Sequence, residues 1–525
     1  MKHPFGSSAP LYFGLYFGLY AGLCAACLCA PAFAQDTSAA AGGLTPTPTS
    51  WRLTSETLHL PGSETMGLLG GDLMFDLNEH LRLGVGSYGA VSGARGGFIT
   101  LGVAGEMRQR LTSSWFGHAG LYVGAGGGRS SNTLAGGGLM LRSDLGLSYD
   151  TPGYGNFGFG VSHVSFPTGV IRSTQPYIQY EFPFYSLIHS GWSGPSAMDG
   201  AMAQGLHARS QEFSLVGRTY SIPSTVLSTG GQPQHGRMQL MGVQWLSAVN
   251  EHWFLQLEAE GAMGGQSNGY MQILAGGGYR LALSSSTALK LHAAAGPAGG
   301  GGVDNGGGLL WDAGLALQQK ISAHNSIELS IGEVRAPSGS FKARSLALQL
   351  THQFGIPDVA SSDALSWRAL DGFDREHLRV RAVSQTYFKA NPQWRSSDPQ
   401  LSISNLGVQL DYFISPHWYV TGQGLAAYAG KAGAYMTGLM GAGTQWPVTQ
   451  RWFVEGEMLV GAAGGGGVAV GGGLVGQANV GIGYHLSEPL ALLATVGGIT
   501  AERGPFKAHV AGLALTYQFT GFGAK

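Results

Sequence analysis

Apolar and polar positions alternate with a period of two along most of the chain beyond residue 50, which predicts strands rather than helices. From Trp253 onward, Leu255, Leu257 and Ala259 alternate with Gln256, Glu258 and Glu260. Leu139, Leu141, Leu145, Leu147 and Tyr149 stand opposite Arg142, Asp144 and Ser148. Leu474, Ala478, Val480, Ile482 and Tyr484 stand opposite Gln477, Asn479 and His485. Eight such segments follow one another near 377–388, 403–414, 417–429, 433–446, 451–463, 472–486, 489–500 and 506–519. Most are about 10–14 residues long, enough for a tilted strand to cross a bilayer.

The turns between them are of two kinds, in alternation. Asn78-Glu79, Asn250-Glu251, Ser415-Pro416, Ser284–Thr287 and Ser487–Pro489 are tight and polar. The 126–138, 299–308 and 464–473 stretches are longer and glycine-rich, and 223–236 and 389–400 are long loops. Trp115, Trp253, Trp418 and Trp452 sit just inside the short turns, where an interfacial aromatic belt would lie.

The pattern is written three times. VSHVSFPTGVIRS (161–173) matches IGEVRAPSGSFKA (331–343) and VGGITAERGPFKA (496–508). GGGL recurs at 136–139, 306–309 and 471–474. LGGDLMFDLNEH (69–80) matches MGVQWLSAVNEH (241–252) and LGVQLDYFISPH (406–417). Three blocks in one order at nearly constant offsets define a triplicated unit. The division expected is eight-strand units at 51–184, 212–354 and 377–519, with linkers at 185–211 and 355–376. A low-complexity lead-in covers 35–50 and a tail covers 520–525.

Residues 1–34 read as a secretory signal: Lys2 and His3, an apolar run over 11–30, and a small-x-small site at Ala32-Phe33-Ala34. Cys24, Cys27 and Cys29 all fall within it, so the mature chain carries no thiol, disulfide or cysteine metal site. Charged residues are 11% of the chain, apolar residues 44%, and the net charge is −1. That balance excludes intrinsic disorder and gives no basic excess for nucleic acid. Beyond the signal no apolar run reaches the length of a membrane helix, so a membrane could be crossed only by a closed sheet.

HVAGLALTYQF (509–519) places Ala511, Leu513, Leu515, Tyr517 and Phe519 on one face. This ending resembles the C-terminal assembly signal of bacterial outer-membrane β-barrel proteins, porin-like and OmpA-like in strand pattern. SLALQLTHQF (345–354) and PYIQYEFPF (176–184) close the other two units in the same way. The sequence departs from the family in carrying six residues after Phe519. The resemblance implies an all-β, transmembrane antiparallel barrel in the outer membrane, in contact with outer-membrane lipid and the barrel-assembly machinery. Leu513, Leu515, Tyr517 and Phe519 would form the assembly signal.

Twenty-four strands could form one wide, wet ring or three small barrels filled by their own side chains. The long linkers and the three separate closing strands favour three. Arg142, Asp144, Glu258, Glu260, Glu455 and Glu457 face inward in either case, lining a lumen or pairing in a barrel core. His80, His252 and His417 recur at equivalent short turns, where an interfacial ring is a simpler reading than catalysis or metal binding. Ser162-His163, His189-Ser190 and the GQSNG string at 265–269 do not recur and sit outside any strand-to-helix elbow. Neither HExxH nor a phosphate loop occurs, and the glycine tracts read as loop tips or turns of close backbone approach. No catalytic, cofactor or metal site is therefore expected. The functions expected are a transport or export pore, or a membrane component of an export system. The alternatives are a surface protein presenting glycine-rich loops and, more remotely, a lipid-modifying enzyme. Nothing in the sequence names a cargo.

Overall fold

The computed structural model describes residues 43–128, 131–192, 206–234, 236–359, 363, 365–366, 370 and 372–524. The expected signal with its three cysteines, the first half of the lead-in and parts of both linkers lie outside them. Within them the period-two runs form antiparallel strands. The first eight are β1 (Thr47–Leu60), β2 (Glu64–Asp76), β3 (Leu81–Gly93), β4 (Ile99–Arg110), β5 (Trp115–Gly127), β6 (Leu139–Thr151), β7 (Gly155–Ser165) and β8 (Arg172–Ser186). The next eight are β9 (Ala208–Ile222), β10 (Gly236–Ala248), β11 (Trp253–Gly264), β12 (Met271–Ala282), β13 (Thr287–Gly299), β14 (Leu309–Lys320), β15 (Asn325–Arg335) and β16 (Lys342–Pro357). The last are β17 (Phe373–Lys389), β18 (Ile403–Phe413), β19 (Trp418–Ala429), β20 (Met436–Pro447), β21 (Trp452–Gly464), β22 (Leu474–His485), β23 (Leu490–Ala501) and β24 (Lys507–Ala524). One helical turn, Ser131–Leu134, interrupts the loop between β5 and β6.

Each set of eight closes on itself. β1 pairs with β8 from Thr47↔Ser186 to Glu56↔Tyr177, and β9 with β16 from Ala208↔Pro357 to Ser221↔Arg344. β17 pairs with β24 from Phe373↔Ala524 to Lys389↔Ala508. The result is three closed eight-strand barrels rather than one ring of twenty-four strands. Thr520–Ala524, expected as a tail, continue β24 and pair with β17. They are strand because the long β17 offers them a partner.

Eight strands leave an interior just wide enough to be filled by side chains. The loop-side half of each barrel is apolar: Leu58, Met66, Phe98, Leu134 and Phe166 in the first, Tyr220, Met238, Tyr270 and Phe341 in the second, and Tyr387, Trp394, Tyr435 and Phe506 in the third. The middle and turn-side half holds buried charge. Outward positions carry the other half of the alternation, and Leu145, Phe159, Ile178, Leu329, Leu348, Val480 and Val496 are exposed.

The three barrels meet in a ring. β3 packs against β13, β11 against β21, and β19 against β5, so the third strand of each unit meets the fifth strand of another. The fourth strands face the centre, where Ile99, Met436, Met271, Leu101 and Ile273 form an apolar plug with Ala125, Ala426 and Leu406. Glycine makes these junctions possible. Gly96 N donates to Gly306 O at 2.9 Å, Asn268 Nδ2 donates to Gly471 O at 2.5 Å, and a side chain on Gly433 would lie 2.9 Å from Gly136 O. Gly136, Gly306 and Gly471 share a left-handed φ of 59°, 56° and 64°, and Gly138, Gly308 and Gly473 share φ of 102°, 105° and 102°. An L side chain rarely adopts those angles. The glycine tracts are thus docking surfaces between barrels, which accounts for them by close backbone approach and not by loose loop tips.

On the short-turn side the connecting segments gather. Gly43-Leu44 pairs with Leu365-Ser366, and Leu44, Leu187, Val359, Leu370, Phe373 and Phe522 form a separate apolar cluster. Trp51 of the first barrel lies 6.0 Å from Trp245 of the second.

Replacing Gly433 by Leu should drive a side chain into the Gly136–Gly138 backbone and cost about 1–3 kcal/mol, typical of overpacking. The expected result is a lower unfolding midpoint in detergent with strand content in circular dichroism unchanged, because the substitution strikes a junction between barrels and no barrel wall.

Candidate functional site

The charged interiors are the most chemically distinctive feature of the molecule, and each barrel builds its own. In the first barrel, Arg82 spans the lumen to Asp76 (2.7 Å), Glu106 (2.9 Å) and Glu181 (3.0 Å), while Arg52 pairs with Asp72 (3.2 Å) and Glu106. Higher up, Arg142 pairs with Glu56 (3.0 Å) and Asp144. In the second barrel, Arg218 gathers Glu258 (3.0 Å), Glu260 (2.8 Å) and Asp312 (3.2 Å). Lys290 bridges Glu212 (2.8 Å) and Glu328 (2.5 Å) below it. In the third, Arg379 and Arg381 share Asp411 at 2.6 and 2.7 Å and share Glu455 at 3.0 and 2.6 Å. Glu457 lies 3.4 Å from Arg381 and accepts hydrogen bonds from Gln409 and Asn479, both at 2.9 Å.

Arg142, Asp144, Glu258, Glu260, Glu455 and Glu457 therefore point into three separate cores, and no two barrels contribute to one site. Their partners Glu56, Arg218, Arg379 and Arg381, and Arg52 and Arg82 of the first barrel's other cluster, carry the same inward parity on their strands, a signal available in the alternation itself. The networks fill the lumens. Arg379 and Arg381 are 0% and 1% accessible as side chains, which leaves no aqueous passage between them. A charge held this way is stable only because carboxylate and guanidinium satisfy each other away from water.

The histidines of the short turns have a structural duty. His80, His252 and His417 each place Nδ1 near a main-chain oxygen of the next hairpin, Arg108 (3.4 Å), Arg280 (3.3 Å) and Gln445 (3.1 Å). Arg108, Arg280 and Gln445 return their amides to the histidine carbonyls at 2.7, 2.7 and 2.9 Å. Asn78, Asn250 and Ser415 accept from the amides two and three residues on, which fixes each turn. These rings clasp adjacent turns.

Ser162 and His163 lie on opposite faces of β7. Ser162 bonds Glu56 and Gln175 inside the barrel, and His163 bonds Thr174 outside. They cannot act as a nucleophile and base. In GQSNG, Asn268 reaches across to the third barrel, so the string serves a junction.

The terminal segment is partly covered. Leu513 is 45% exposed, while Leu515 and Tyr517 are buried against Leu490, with Phe519 beside them. His189-Ser190 of the first linker pairs with Thr520 and Phe519, and Trp192 seats on the turn-side mouth of the third barrel. Trp192 is a packing contact that sequence reasoning did not find, since a lone Trp in a Ser/Gly-rich linker carries no periodic signal.

No protein-family profile matches the chain, and no curated protein matches it. Among solved structures, a ferric enterobactin receptor from Pseudomonas aeruginosa is 10% identical, with 91% of this chain and 82% of that chain covered at a TM-score of 0.27. The siderophore receptor PirA from Acinetobacter baumannii is 10% identical over 90% of this chain and 80% of that one, also at 0.27. At that TM-score the likeness carries no argument about arrangement or activity.

Arg381→Leu should strip Asp411, Glu455 and Glu457 of a shared cation and cost about 3–5 kcal/mol, the usual penalty for orphaning buried charge. Urea unfolding of the detergent-solubilised protein should show a clearly lowered midpoint. A midpoint unchanged from wild type would contradict the packed-core role of these residues.

Proposed function

We propose that this chain is a non-enzymatic integral protein of the bacterial outer membrane that serves transport or export as a membrane component rather than as a pore. The observation that carries the reading is the combination of exposed apolar outward faces with filled, ion-paired interiors. Closed sheets satisfy every strand's backbone internally, which is the condition for crossing a bilayer without helices. Among the described residues no helix is long and apolar enough to cross a membrane, so strands must do it if the chain spans at all. Trp115, Trp253, Trp418 and Trp452 are 37–56% exposed beside the short turns and support an interfacial belt at that end. The short turns would then face the periplasm and the glycine-rich loops the exterior.

Conduction is disfavoured along both kinds of route. Within barrels, layered ion pairs and apolar side chains occupy the lumen; between barrels, the Ile99–Met271–Met436 plug occupies the centre. Display of recognition tips is disfavoured too, because the glycine tracts are engaged in barrel-to-barrel contacts. Contact with outer-membrane lipid and with the assembly machinery belongs to this reading, the latter through Leu513, Leu515, Tyr517 and Phe519.

Planar-bilayer recording of the purified protein should give no large, stable openings, and Glu455→Gln with Glu457→Gln should not create them. Steady large conductance that changes with those substitutions would contradict the reading.

A further inference from the structure

Cations gather on the outer wall of the second barrel, at the loop-side ends of β15 and β16 and the adjoining β9 and β10. In register, Trp311 of β14 faces Arg335, and Arg335 faces Lys342. Two residues nearer the short turns, Glu333 faces Arg344, Arg344 faces Ser221 of β9, and Ser221 faces Arg237 of β10. Below these lie a row of Leu315, Ile331 and Leu346 and a row of Leu317, Leu329 and Leu348, each 44–59% exposed. The stretch lies away from the junctions, which the second barrel makes chiefly through β11 and β13, and away from the centre, which β12 faces.

Arg237, Arg335, Lys342 and Arg344 are exposed, and among the described residues none of them makes an ion pair or a side-chain hydrogen bond. Glu333 is the one carboxylate in the two rows. Elsewhere at the loop-side end, Arg95 is paired with Glu64 at 2.5 Å and Lys431 with Asp398 at 3.4 Å. Arg335 and Lys342 stand directly opposite each other, where like charges destabilise a sheet. Arg172 and Lys507 hold the position of Lys342 in the other units and are exposed too. Their partners across the ladder are Ser165 and Thr500, and Thr174 and His509 stand where Arg344 does. An outward cation at this level is common to the three units, and the second alone builds it into a cluster. Both linkers join the barrel at its other end, about 40 Å away along β16. Residues 193–205, anchored there on both sides, are too few to reach the cluster.

Resting on the reading of the chain as membrane-spanning, we propose that this face binds an anionic, phosphate-bearing lipid of the leaflet on the loop side. The phosphate sits among Arg335, Lys342 and Arg344, and the acyl chains lie along Ile331, Leu346, Leu329 and Leu348. The order of the rows decides the occupant: cations and an indole above, aliphatic side chains below, on the same strands. One lipid molecule satisfies both, whereas an acidic peptide leaves the aliphatic rows uncovered. Trp311, 55% exposed in the cation row, marks the headgroup level, where an indole ring is favoured at a membrane surface. Guanidinium groups offer forked donors to phosphate oxygens, and the bound anion relieves the repulsion between Arg335 and Lys342. Arg237 extends the positive field to β10.

The test offers phosphatidylglycerol and phosphatidylcholine in equal amounts to the full-length protein in non-ionic detergent, with bound lipid counted by native mass spectrometry. Phosphatidylglycerol should be retained over phosphatidylcholine by about tenfold, and the preference should shrink as salt is raised. Arg335→Gln with Lys342→Gln and Arg344→Gln should abolish it, whereas Arg172→Gln with Lys507→Gln should leave most of it. The salt response of the wild-type protein serves as the second reading should the triple variant not assemble. Equal retention of the two lipids, or a preference that ignores salt or survives the triple variant, would overturn the proposal. So would displacement of the lipid by inorganic phosphate or by a hexaglutamate peptide, which marks a site for any anion. Flotation with phosphatidylcholine vesicles reads membrane insertion separately. Protein that floats without the lipid preference overturns this proposal alone, and protein that does not float overturns the membrane reading with it.

Discussion

The backbone hydrogen bonds that join the first strand of each unit to its own eighth strand are the constraint from which the other features follow. A sheet edge left open in a bilayer would strand a row of amides and carbonyls without water, at several kcal/mol each. Closing after eight strands removes both edges, and it also sets the width. At that width the inward half of every strand is in contact with the inward half of others, so a charge placed there has no water to turn to. Each barrel answers with guanidinium–carboxylate clusters, and it does so with different residues: Arg82 with Glu106 and Glu181, Arg218 with Glu258 and Glu260, Arg381 with Asp411 and Glu455. The repeats hold the scaffold in common and vary the filling.

Closure leaves the walls of the three barrels no open sheet edge with which to hold one another, so among the described residues their association uses outward faces and loops. The solution is heterologous: the third strand of one unit meets the fifth strand of the next around a ring that closes after three. Backbones must come near for this, and the glycines at 96, 138, 308, 433 and 473 permit it. Fusion in one chain makes the ring unequal. The first linker closes the third barrel with Trp192, whereas an ion pair closes the first.

Much of the fold was legible because strand alternation and turn length are local properties. Leu255, Leu257 and Ala259 announce their face without reference to any other part of the chain, and so does the ending at Leu513, Leu515 and Tyr517. The pairing of the first strand with the eighth was not legible, since the same pattern suits a wide ring, and the linkers gave only a lean toward three. Partners of the inward charges were hidden for the same reason: Arg52 and Glu106 lie on different strands and meet only once the sheet has curled shut. The glycine tracts were visible but their use was not, because a left-handed φ at Gly306 looks alike in a free loop tip and in a packed junction. Thr520–Ala524 looked like a tail because a closing strand's length depends on how far its neighbour β17 extends.

Closure within each unit can be tested directly, and the cysteine-free mature sequence expected from the signal reading suits the method. Ser55 and Ile178 are paired across β1 and β8, whereas in a single wide ring Ile178 would sit beside Gly217 of the next unit. With Ser55→Cys and Ile178→Cys in one protein, mild oxidation in isolated outer membranes should give an intramolecular disulfide, read as a mobility shift reversed by reductant. Failure of that pair to crosslink, together with efficient crosslinking of Ile178→Cys to Gly217→Cys, would contradict the three-barrel account.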